Sequence, residues 1–161
     1  MKNILILLLS FVLLISMTAC ADNETGNPEP LQNKEDDTMV DKTLAAMTLQ
    51  IGDETVTVEW EENDSVNALT ELVKDEPLTV QMSMYGGFEQ VGSLGTSLPR
   101  DDVQTTTQAG DIVLYSGNQI VVFYGTNSWA YTRLGRITDK TAEELATLLG
   151  NGNVTLTLSA Q

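Results

Sequence analysis

The sequence predicts a mainly β domain: a closed eight-stranded barrel capped by two α-helices. Three observations point there. Short runs alternate apolar and polar residues between turn residues, the period of half-buried strands. Two segments switch instead to helical spacing behind N-capping side chains. Many short strands would leave open edges, and closing the sheet removes them.

Residues 1–20 stand apart from that domain. Lys2 precedes an apolar run, Ile4 to Ile15, broken only by Ser10. This has the form of a secretory signal and is too short for a stable membrane span. Its end, Thr18-Ala19-Cys20, resembles the lipobox of bacterial lipoproteins, with Met17 where Leu is usual. Cys20 is therefore the expected lipidation site, and the cell membrane's extracytoplasmic face the expected address. Residues 21–43 are acidic, hold Pro28 and Pro30, and carry almost no large apolar side chains. Such a stretch cannot bury enough surface to fold and reads as a disordered tether.

The domain is expected over residues 44–161. Met47, Leu49 and Ile51 alternate, Gly52-Asp53-Glu54 turns the chain, and Val56, Val58 and Trp60 alternate again, a hairpin with one buried face. Asn63, Asp64 and Ser65 offer N-cap oxygens ahead of Val66, Leu69, Leu72 and Val73, a helix that ends before Pro77. Leu78, Val80, Met82 and Met84 form the next strand, with both methionines read as core. Gly86-Gly87 breaks it, and Phe88 to Leu94 returns. Gly95 to Gln108 reads as a polar loop. Ile112–Tyr115 and Gln119–Tyr124 flank the Ser116-Gly117-Asn118 turn, and Trp129, Tyr131 and Leu134 lie on a further strand. Thr141-Ala142-Glu143-Glu144 is a capping box opening the second helix, whose face is Ala142, Leu145, Leu148 and Leu149. Val154, Leu156 and Leu158 close the chain.

Composition removes several function classes. The 161 residues carry a net charge of −15; loss of Lys2 with the signal leaves 7 basic against 23 acidic side chains. That surface repels phosphates, which argues against nucleic acid as a partner. Membrane association is expected from lipid rather than a basic patch. The chain has one cysteine and no histidine, which excludes an intramolecular disulfide, Cys/His metal sites and Ser-His or Cys-His catalytic pairs. Carboxylate sites for Ca²⁺ or Mg²⁺ need oxygen ligands alternating about a sharp turn. Neither Asp101-Asp102 nor Glu59, Glu61 and Glu62 shows that pattern, so no metal or other cofactor is expected. No phosphate-cradling glycine loop is present.

The order β-β-α-β-β-loop-β-β-β-α-β, with Tyr85-Gly86-Gly87-Phe88-Glu89, Gly92-Ser93-Leu94-Gly95, Leu98-Pro99, Gly110-Asp111-Ile112-Val113-Leu114-Tyr115, Phe123-Tyr124-Gly125 and Tyr131-Thr132-Arg133-Leu134-Gly135-Arg136-Ile137, resembles the bacterial cyclophilin-like domain family from about Thr48 to Leu158. The resemblance implies a cyclophilin-like β-barrel with two capping helices and no settled activity. Some domains of this type occur beside or fused to flavodoxin-like proteins. Cyclophilins proper are prolyl isomerases that use an arginine and a glutamine beside an aromatic-lined pocket. Here Ser116-Gly117-Asn118-Gln119 is similar to their G-S-Q-F-F stretch, Trp129 falls where a pocket tryptophan is common, and Leu134-Gly135-Arg136-Ile137 is similar to F-G-x-V. Their F-H-R segment would fall near Gln81-Met82-Ser83-Met84, which has no arginine, and the pocket histidine is missing.

Candidate ligand-binding residues follow. Arg100 can reach a carboxylate or peptide carbonyl from its loop, or pair locally with Asp101 and Asp102. Arg133, among Trp129, Tyr131 and Tyr124, can stack and bind a carboxylate or cover the surface with its stem. Gln119 faces either ligand or solvent. Tyr85, Phe88 and Gln90 surround the Gly86-Gly87 break, as a pocket rim or a barrel corner. The expected function is a non-catalytic binding module for a small molecule or an extended peptide, monomeric and tethered to the membrane. The alternatives are a divergent peptidyl-prolyl isomerase for exported proteins, with Arg100 or Arg133 as donor, and an accessory partner of a flavodoxin-like redox system.

Overall fold

The computed structural model describes residues 47–161. The signal segment, Cys20 and the acidic tether lie outside the described residues. The described chain is mainly β with two helices and runs β1 (Met47–Ile51), β2 (Glu54–Val56), β3 (Val58–Trp60), α1 (Asp64–Val73), β4 (Leu78–Gln81), β5 (Ser83–Tyr85), β6 (Glu89–Ser93), β7 (Val103–Thr106), β8 (Asp111–Tyr115), β9 (Gln119–Phe123), β10 (Ser128–Ile137), α2 (Ala142–Leu149) and β11 (Thr155–Ala160).

The closed eight-stranded barrel is therefore corrected. Eleven strands form two sheets, β2-β1-β11-β4 and β3-β10-β8-β9-β6-β5 with β7 beside β10, and neither sheet closes. Three departures account for the count. The strand expected to hold Val56, Val58 and Trp60 is interrupted at Thr57, whose carbonyl accepts from the Thr138 backbone N–H at 2.9 Å. The strand expected to hold Leu78 to Met84 is interrupted at Met82, whose N–H donates to the Val154 carbonyl at 2.8 Å. Both segments pass from one sheet to the other at these points, so they form corners between two sheets. The third departure is β7, which lies inside the expected polar loop and pairs with Ser128–Tyr131 of β10. Its Thr105 and Thr106 are β-branched and suit a strand, although their polarity reads as loop.

Both helices start as their caps require. Asn63 Oδ1 accepts the Val66 N–H at 3.0 Å. At α2, Thr141 Oγ1 accepts the Glu144 N–H while Glu144 Oε2 accepts the Thr141 N–H at 2.8 Å. Val66, Leu69 and Val73 of α1 and Leu145 and Leu149 of α2 enter the main core, which also takes Leu49, Ile51, Leu156 and Leu158 from the smaller sheet. Leu72 stays 38% exposed.

The larger sheet is apolar on both faces, and this positions the site. Ile112, Leu114, Ile120 and Val122 of β8 and β9 face the main core. Val113, Val121, Phe123 and Tyr131 form a second cluster on the opposite face, with Phe88 and Val91 against it. Register explains the division: Val113 pairs with Val121 and Val121 with Val91, so the three share a face across β8, β9 and β6. The described residues 47–161 thus hold two hydrophobic clusters, one on each face of the larger sheet.

Candidate functional site

The second apolar face carries an open cleft with a cavity volume of about 690 Å³, within the usual range for ligand sites. Val91 and Val121 floor it. Tyr85, Tyr115, Trp129 and Tyr131 supply aromatic walls, and Gln119 and Asn127 supply amides. Their placement follows from register. Tyr115 pairs with Gln119 and Gln119 with Ser93 at one end, while Glu89 lies between Tyr85 and Phe123 at the other.

Tyr131 is the fixed wall. Its ring meets Phe123 edge-on at 5.7 Å and Tyr115 at 6.0 Å. Its hydroxyl accepts from Asn127 Nδ2 at 2.9 Å. Asn127 is itself clamped by buried Thr107, whose hydroxyl accepts the Asn127 N–H at 3.0 Å and whose backbone N–H donates to the Asn127 carbonyl at 2.8 Å. Burial pushes the Tyr131 phenol up, with Glu89 adding to the shift. Tyr85 and Trp129 differ: they are 67% and 57% exposed and form an uncovered rim.

At the inner end sits Glu89, 6% exposed. Its Oε2 has no hydrogen-bond partner among the described residues. Burial raises its carboxyl to about 6, because removing an ionised carboxylate from water disfavours the charged form. Among the described residues that line the cleft, it is the only Asp, Glu, Lys or Arg. Burial also raises Tyr124, whose hydroxyl likewise lacks a partner, and Glu89 adds to that shift.

Of the eight candidate residues, the structure brings Tyr85, Gln119, Trp129 and Tyr131 together around the cleft. Phe88 packs behind it against the second cluster, and its carbonyl accepts the N–H groups of Tyr124 and Gly125 at 2.9 and 3.0 Å. Gln90 points to the core side, fully buried, with Nε2 donating to the carbonyls of Leu149 and Gly152 at 2.6 Å each. It ties β6 to the end of α2.

Arg100 and Arg133 line a separate hollow of about 550 Å³ with Asn63, Ser65 and Pro99; Tyr131 borders both cavities. Arg100 lies 3.5 Å from Asp102. Arg133 pairs with Glu61 and with buried Asp111 at 3.2 Å each, and Arg136 reaches the same Asp111 oxygen at 3.4 Å.

Sequence reasoning passed over Glu89, Tyr115, Asn127 and Met84. Met84, expected in the core, is 44% exposed at the cleft. All three residues of β5 are exposed, so Met82 at the corner is buried and Met84 beyond it is not. Glu89 enters the sequence reading only as part of the Tyr85-Gly86-Gly87-Phe88-Glu89 motif. The one signal available was its parity with Val91 and Ser93 after the Gly86-Gly87 turn, where φ is +62° and +76°.

A mainly β architecture with two helices is consistent with a cyclophilin-like fold. The comparison with known families agrees: the cyclophilin-like family matches residues 49–159, and the chain belongs to it. A hypothetical protein of Archaeoglobus fulgidus, with a structure determined in solution, is similar at a TM-score of 0.53 and 15% identity, over 76% of this chain and 100% of its own. That likeness speaks to fold alone. No curated protein matches.

Proposed function

We propose that this chain is a membrane-tethered, extracytoplasmic binding module that takes a small molecule or an extended peptide in the Tyr85–Trp129 cleft without transforming it. One observation carries the reading. Six large apolar side chains are exposed among the described residues, and four of them, Met84, Tyr85, Tyr115 and Trp129, gather at this cleft. Uncovered aromatic surface concentrated at a concavity is what a ligand buries. The arginines that prolyl isomerisation would call on lie in the other hollow and face carboxylates, which supports binding rather than catalysis. The proposed anchor at Cys20 rests on the lipobox-like sequence, and the domain acts as a monomer.

A thermal-shift screen of small molecules and short peptides on residues 44–161 tests this, since a ligand for the native state raises apparent stability. Hits should lose their effect in Trp129→Ala. Hits that persist in that variant, or acceleration of proline isomerisation by the unsubstituted domain, would sink the reading.

A further inference from the structure

We infer that the cleft is built for an organic ammonium ion, such as a lysine side chain or a primary amine, held over the aromatic walls with its N–H groups donating to Glu89. The inference rests on the cleft being the binding site and names the chemical class it takes.

Three independent observations converge on a cation. Glu89 is nine-tenths buried, faces the cleft, and has an oxygen with no partner among the described residues. A buried carboxylate without a donor is costly, and the deficit is removed by whatever brings the donor and the charge. No Lys or Arg lines the cleft to do so from within the described chain. The groups facing Glu89 from the neighbouring strands are neutral aromatics: Tyr85 from β5, Phe123 and Tyr124 from β9 and its end, and Tyr131 from β10. Second, ring faces attract ammonium ions and not carboxylates, because their quadrupole is negative on the face. Third, the chain's net charge of −15 draws cations towards the surface and turns anions away.

The geometry also explains why a neutral ligand is the weaker fit. An apolar group would cover the rim of Tyr85 and Trp129 but leave Glu89 unpaired and further dehydrated. An ammonium on a flexible chain satisfies the carboxylate while its methylenes lie on the rings. Ionisation of Glu89 is needed for the pairing, so affinity for the cation should rise as pH passes through about 6.

The experiment uses residues 44–161, which carry both hydrophobic clusters of the described residues, and two probes with the same four side-chain carbons, one with and one without a terminal ammonium: Nα-acetyl-lysine methylamide and Nα-acetyl-norleucine methylamide. Binding is read from amide chemical shifts of cleft residues at pH about 5 and about 7.5. We expect the lysine probe to bind about tenfold more tightly at the higher pH, the scale of a charge-assisted hydrogen bond joined to a ring contact. The preference should fall severalfold at the lower pH and in Glu89→Gln, leaving only the ring contact, while Trp129→Ala weakens both probes. Equal binding of the two probes to the unsubstituted domain, lost in Trp129→Ala, would overturn the cation assignment and leave the cleft as the site. An unchanged lysine preference in Glu89→Gln would also overturn it. Shifts confined to residues outside the cleft, or none with either probe, would overturn both.

Discussion

Replacing Glu89 by Gln should make the domain more stable at neutral pH and leave it unchanged in relative terms at acid pH. In the unfolded chain this carboxyl titrates near 4.5, whereas burial raises it to about 6 in the fold. A raised carboxyl means the native state holds its proton more tightly than the unfolded state. The associated stability is present in full below about 4.5 and is lost as pH rises through about 6. A difference of one and a half pH units is worth about 2 kcal/mol, and solvent in the open cleft reduces that to about 1–2 kcal/mol. Gln is neutral throughout and close in shape, so it escapes the loss. Any fixed cost of its amide appears at every pH and cancels in the comparison. For a domain of this size urea unfolding has a slope of about 1–2 kcal/mol per molar. The gap between the two midpoints should therefore widen by about 1 M between pH about 4 and about 7.5, in favour of Gln. A constant gap, or one that widens in favour of Glu, would refute the claim that Glu89 is buried without a donor.

Four further outcomes follow from the same structure. Trp129→Ala and Tyr85→Ala should each cost less than about 1 kcal/mol by urea melt, because both rings are largely exposed. Asp111→Ala should cost about 1–3 kcal/mol by the same measurement, since it removes the acceptor shared by Arg133, Arg136 and the Gln108 N–H. Gly92→Ala should cost about 1–3 kcal/mol, because its Cβ would press into Met82 Sδ and Val80 Cγ1 at the sheet corner. Cys20→Ser should shift the full-length protein from the membrane fraction to the soluble fraction of fractionated bacteria; an unchanged distribution would count against the lipid anchor.

Much of the fold was legible because its signals are local. The capping box at Thr141 and Glu144 needs only four residues to be read, and it is present in full. The Gly86-Gly87 and Gly117 turns announce themselves because both sites take positive φ. The corners were not legible. Thr57 and Met82 sit inside unbroken alternating patterns, and what interrupts the ladders is a hydrogen bond to residues 81 and 72 positions away, at Thr138 and Val154. Half of the candidate residues met at the cleft because aromatic and amide side chains at strand positions are visible in sequence. Glu89 was not chosen, since a carboxylate's burial depends on which neighbours cover it. Arg133 looked like a ligand group among aromatics, but its guanidinium is turned to Asp111 and Glu61.

The cleft and the core are consequences of one feature, a sheet with two apolar faces. Strand β9 reads Gln-Ile-Val-Val-Phe, and its last four residues are buried whichever way they point. An ordinary surface sheet would alternate polar residues outward. Here Val121 and Phe123 are turned away from the main core and still need cover. The chain provides part of it with Phe88, Tyr115 and Tyr131, and β7 lies alongside β10. That cover stops at Tyr85 and Trp129, which stand at the edge with their rings in solvent. The cleft is thus the unfinished portion of a second hydrophobic cluster. Placing a lone carboxyl at its inner end lowers native stability above pH about 6. A residue that costs stability in a domain with no disulfide is hard to explain by packing, because a neutral side chain would serve the cluster better. It is accounted for if a donor from outside completes the cluster, and the stability gap between Glu89 and Gln should then close, or reverse, when the cationic probe is present at saturating concentration.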